Sequence, residues 1–140
     1  MKSILCFLAA MLLIGASACG PKGKSKASEI ETTLAKTTLM FIAAEHDFGQ
    51  VNEGEKVAHV YEVLNTGDVD LLLQDVSPSC GCTTPKYDKK PIRPGEKGSI
   101  KIVFNTKGRP GKQHKTVTVV TNTEPPNTVL TFTCDVIAKK

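Results

Sequence analysis

From about residue 39 to the C-terminus, short runs of alternating apolar and polar residues follow one another, separated by turn-forming clusters. The runs are LMFIA (39–43), HDFGQV (46–51), KVAHVYEVLN (56–65), VDLLLQDVS (69–77), GSIKIVFN (98–105), HKTVTVVTN (114–122) and TVLTFTCDVIA (128–138). Between them stand NEGE, TGD, RPGEK, KGRPGK and TEPPN, in which Gly, Pro, Asn and Asp supply turn chemistry. Alternation with period two predicts strands with one buried and one solvated face, and no segment keeps a helical period over three turns.

Seven such strands in about 100 residues predict an all-β fold, an antiparallel immunoglobulin-like sandwich of about seven strands. Ile100, Ile102 and Phe104 share one face of their strand, and Val117 and Val119 share one of theirs. In the last strand Leu130, Phe132 and Cys134 fall together, so Cys134 is expected to point inward.

The N-terminal part follows another pattern. Lys2, the apolar ILCFLAAMLLIGA and the small residues of ASAC read as a signal peptide over residues 1–18. Small residues directly before Cys19 resemble the lipobox of a bacterial lipoprotein, although Ala16 stands where that motif usually has leucine. Ala16 and Ala18 also satisfy the A-x-A rule of an ordinary signal peptidase, which would release a soluble periplasmic protein. Lipidation is the preferred reading, because a cysteine at the junction followed by a polar tether has little other reason to be there. Residues 19–38 would then be the lipidated cysteine and a flexible tether, whose GPKGKSKASE stretch lacks large apolar residues. Residues 39–140 would be one domain. Several acyl chains on Cys19 would make membrane attachment stable, with the domain facing the periplasm.

The net charge of +4, one unit less once Lys2 is removed, does not point to nucleic acid. The lysines are scattered among acids and aromatics are few, so no nucleic-acid partner is expected.

The stretch HDFGQVNEGEKVAHVYEVLNTGDVDLLLQDVSPSCGCTTPKYDKKPIRPGEKGSIKIVFNTKGRPGKQHKTVTVVTN resembles the DUF1573 family of exported bacterial proteins. Its marks are F-G-x-V-x-x-G-E, N-T-G, S-C-G-C-T, P-x-x-P-G-E and a closing pair of strands, covering almost the whole chain after about residue 40. The resemblance implies an immunoglobulin-like sandwich akin to ASH and major-sperm-protein domains, frequent in envelope lipoproteins. It implies no established biochemical activity. Cys134 departs from the pattern, standing where members often have glycine.

With Cys6 lost in the signal and Cys19 committed to lipid, three thiols remain, Cys80, Cys82 and Cys134, an odd number for an oxidising compartment. In the sandwich the ends of the third and last strands and the start of the sixth share one pole, collecting these cysteines with His114 and His59 there. A hairpin centred near residues 124–125 would set Cys134 across from about Lys115, with His114 diagonal to it. Four readings stay open. Cys80 or Cys82 bonds to Cys134 as a staple; the C-G-C is a tight turn with thiols packed as small hydrophobes; Cys80, Cys82 and a third ligand from Cys134, His114 or His59 hold Cu(I) or Zn; or Cys80 and Cys82 form a reducible disulfide.

Catalytic constellations are otherwise unsupported. Ser77 and Ser79 lack a nucleophile elbow. Asp47, Glu53 and Glu55 read as solvated turn residues, and His46 before DFG reads as a strand start. The expectation is therefore a non-enzymatic, lipid-anchored envelope module that binds a protein partner or gives structural support. The alternatives are metal handling at the C-G-C loop and thiol redox work.

Overall fold

The computed structural model describes residues 35–140. The expected signal segment 1–18, the lipidation site Cys19 and the tether up to residue 34 lie outside the described residues. Every regular element among the described residues is a strand: β1 (Leu39–Phe41), β2 (Glu45–Asn52), β3 (Lys56–Asn65), β4 (Leu73–Pro78), β5 (Thr83–Tyr87), β6 (Lys97–Asn105), β7 (Gly111–Thr121) and β8 (Asn127–Ile137). They form two four-stranded sheets, ordered β1-β3-β6-β5 and β2-β8-β7-β4. This is the strand arrangement of an immunoglobulin constant-type sandwich, with its first strand divided between the sheets. β1 pairs antiparallel with β3, and β2 pairs parallel with β8.

The all-β sandwich is as the alternation predicts, with one strand more. β5 holds Pro85 and Lys86 and lies at the margin of its sheet, where a missing N–H costs no ladder bond. The run 69–77 is not one strand. Leu71 pairs with Ile92, and only from Leu73 does the chain join β7. The domain also begins earlier than residue 39: Thr37 is buried, bridges to Thr123 and donates its N–H to the Asn122 carbonyl.

Alternation builds the core. Ile100, Ile102 and Phe104 of β6 face Val117 and Val119 of β7 and Leu130 and Phe132 of β8, all fully buried. Tyr61 of β3 crosses the layer, its hydroxyl donating to the Thr131 carbonyl at 2.7 Å.

One pole is held by two asparagines. The buried Asn65 side chain donates to the carbonyls of Val69 and Ile92, each at 2.8 Å, and accepts from the Thr37 hydroxyl and the Gly67 N–H. Its backbone pairs with Glu96 and Gly95. Gly67 must be glycine here, since a Cβ would run into the Thr37 hydroxyl and stand 2.7 Å from the Thr38 nitrogen. Asn122 donates to the carbonyls of Ala35 and Asp70 and accepts from the Leu72 N–H. Thus the N-T-G and P-x-x-P-G-E stretches meet at Asn65, where residues 35–37 also enter.

Candidate functional site

The opposite pole, about 30 Å away along the ten residues of β3, carries the C-G-C loop between β4 and β5. The loop is tied on both sides. Ser79 donates its N–H to Thr116 of β7, Asn105 of β6 donates to the Cys82 carbonyl at 2.9 Å, and Thr83 N–H closes the turn onto the Cys80 carbonyl. Cys80 and Cys82 are bonded to each other, with Cα atoms 5.3 Å apart. Cys82 is 7% exposed and Cys80 half-buried, its sulfur 3.6 Å from the Thr83 hydroxyl.

Neither cysteine bonds Cys134, which is a free, buried thiol. The staple reading is corrected on this point, and strand register gives the reason. The Thr121 N–H bonds the Pro126 carbonyl, centring the β7–β8 hairpin one residue earlier than expected, so Cys134 pairs with Gln113 and His114 with Thr133. Cys134 points into the core at 4% exposure, and His114 belongs to the other face of the sheet. Burial pushes the Cys134 thiol pKa up, and the Asp47 and Asp135 carboxylates add to this against Lys115. It is held as a protonated thiol.

The F-G motif lies directly across from Cys134. Asp47 pairs with Thr133 and Gln50 with Asp135, leaving Phe48 and Gly49 together opposite Cys134 as a β-bulge. Gly49 has φ +65°, a conformation that favours glycine. The Asp47 carboxylate accepts from Gly49 N–H and the Thr133 hydroxyl, which holds its pKa below the usual carboxylate range.

His59 stands on the inward face of β3, and its ring stacks on that of His46 from β2, centroids 3.6 Å apart. Phe48 lies edge-on to His46 at 4.5 Å and Tyr61 edge-on to His59 at 4.7 Å, closing the side of the sandwich between β2 and β3. Burial lowers the His59 pKa, and the neighbouring His46 adds to the effect. The candidate ligands Cys80, Cys82, Cys134, His114 and His59 are therefore divided among a disulfide, the core, an outer face and a ring stack. Among the described residues no three His, Cys, Asp or Glu side chains come together as metal ligands.

Sequence reading missed the surroundings of the disulfide. A cavity of about 260 Å³ is lined by Gly81, Cys82, Lys56, Lys107 and Arg109, together with Asn105. The pairing of Lys56 with Asn105 brings the cations of two separate turns to one place. Ion pairs among the described residues are Lys36–Glu124 and Lys97–Glu62, so none of the three is neutralised by one. The Arg109 Nε is buried without a hydrogen-bond partner. The only signal in the sequence is the basic content of GEK and KGRPGK, which looks like ordinary turn composition.

Fold and motif positions together define an all-β, immunoglobulin-like sandwich. Over residues 39–136 the chain matches the family model described as "Protein of unknown function (DUF1573)", and it belongs to that family. A protein of unknown function from Porphyromonas gingivalis W83 is 18% identical with TM-score 0.62, the match covering 71% of this chain and 47% of that one. The chain thus spans about half the length of that relative. The ASH/PapD-like domain 7 of human CEP192 is 13% identical with TM-score 0.58, over 96% of this chain and 99% of that domain. The secreted serine protease VesC of Vibrio cholerae is 12% identical with TM-score 0.56, over 71% of this chain and 23% of the protease. At these identities the likeness shows the fold alone. Comparison with the curated proteins gives no match.

Proposed function

We propose that this chain is a lipid-anchored module of the bacterial envelope, attached through Cys19 and facing the periplasm, which binds an envelope protein without catalysing a reaction. The observation that carries the binding reading is an outward apolar patch at the β1 margin of the first sheet. Met40, Ile42 and Val60 are 51%, 53% and 46% exposed there, set around Glu62, which lies opposite Ile42 and pairs with Lys97. Exposed apolar side chains gathered at one sheet margin suit a protein surface. The other margins suit strand addition poorly: β5 carries Pro85, β4 ends in Pro78, and β2 is bulged at Gly49.

Anchoring is tested by Cys19→Ser, which should move the protein from the membrane to the soluble fraction; unchanged membrane retention would contradict it. Binding is tested by photo-crosslinking in intact cells from Ile42, with Thr118 on the outer face of the second sheet as control. A discrete adduct from Ile42, lost in Val60→Lys and absent from Thr118, supports the patch. Identical patterns from both positions would contradict it.

A further inference from the structure

The disulfide and the cationic cavity beside it have chemistry that partner binding does not use. Disulfide exchange needs an accessible sulfur to attack and a stabilised thiolate to leave. Cys80 is the more exposed of the two residues, half-buried where Cys82 is 7% exposed. Cys82 is the buried one, and it lines the cavity with Lys56, Lys107 and Arg109. Cations beside a cysteine favour its thiolate, and no carboxylate lines this cavity to oppose them. The same charges would attract an anionic partner to the rim.

We propose that the Cys80–Cys82 disulfide is a thiol-exchange site for a small carboxylate-bearing thiol, which docks its carboxylates on Lys56, Lys107 and Arg109. The incoming thiol gives its proton to solvent and attacks the Cys80 Sγ as thiolate. A bond forms between the incoming sulfur and Cys80, the Cys80–Cys82 bond breaks, and its electron pair leaves on the Cys82 Sγ. One disulfide replaces another, so no further oxidant or reductant is required. The Cys82 thiolate either recloses the ring by expelling the thiol or remains while the adduct persists. Cys134 does not compete, since it is buried in the core as a thiol. This site is independent of the patch at Met40, Ile42 and Val60.

The test uses the full-length protein in detergent with two probes at equal thiolate concentration, reduced glutathione, which carries two carboxylates, and cysteamine, which is cationic. Reactions are acid-quenched, and the adduct is placed on Cys80 or Cys82 by fragmentation of the peptide that contains both. Glutathione should add to Cys80 at least about tenfold faster than cysteamine, and the preference should fall towards unity at high salt. It should fall likewise in Lys107→Gln/Arg109→Gln. The salt series on the unaltered protein decides the matter if that variant does not fold. Equal rates for the two probes, an adduct on Cys82, or no adduct would each overturn the proposal.

Discussion

The asparagine pole and the disulfide pole stand at opposite ends of the same strands and are secured by different means. At the first, two buried side chains gather four segments remote in sequence, and each hydrogen bond replaces one that water would otherwise make. At the second, a covalent bond joins residues two apart, which were neighbours already. Closing so short a loop removes little freedom from the unfolded chain. The lesson is that the covalent link is the smaller contributor to the fold, while the polar hubs at the entry of residues 35–37 carry the greater load.

The contrast is broken most directly at Asn65. Asn65→Ala leaves the Gly67 N–H without its partner and removes one of the two hydrogen bonds at each of the Val69 and Ile92 carbonyls, which keep the Thr37 hydroxyl and the Leu71 N–H, and should cost about 3 kcal/mol in urea unfolding. A loss no greater than that of the disulfide would end the asymmetry. Between the poles, burial pushes the Tyr61 pKa up to about 12 from its ordinary value of 10.0. A raised folded pKa means that this stabilisation is complete below pH 10 and fades as pH rises towards 12. Tyr61→Phe should flatten that alkaline loss, which amounts to about 2 kcal/mol.

Replacing both Cys80 and Cys82 by Ser should cost only about 1 kcal/mol, with the fold retained in circular dichroism. The smallest effect concerns His59. Its pKa is lowered in the fold, so its contribution is present above the ordinary histidine value and is lost as pH falls through the folded one. His46→Gln removes the neighbouring ring charge and should raise the His59 pKa in an NMR titration; an unchanged value would mean that the stack is electrostatically silent.

Much of this arrangement is legible in the sequence, and the exceptions have identifiable causes. Strict alternation in GSIKIVFN and TVLTFTCDVIA marks the inward faces of β6 and β8, including the place of Cys134, because each strand has one face on the core. β5 escapes because TTPKY has a proline and a lysine where a central strand would not, and only its marginal position tolerates them. The division of 69–77 escapes because Leu71 and Leu73 are both buried, yet Leu71 makes only an isolated bridge to Ile92 while Leu73 pairs with β7. N-T-G reads as a turn, as it is, but the fourfold role of Asn65 depends on segments 28 residues before it and 27 after it. The cation cluster is hidden for the same reason, since strand pairing rather than sequence proximity unites Lys56 with Lys107 and Arg109.

Amide hydrogen exchange of the oxidised and reduced protein, followed residue by residue, addresses the asymmetry of the two poles most directly. Reduction should release protection only around residues 79–84 and the adjoining Asn105, leaving the amides of Asn65, Gly67 and Leu72 as slow as before. Loss of protection at those three amides on reduction would show that the disulfide holds the whole sandwich and contradict the account.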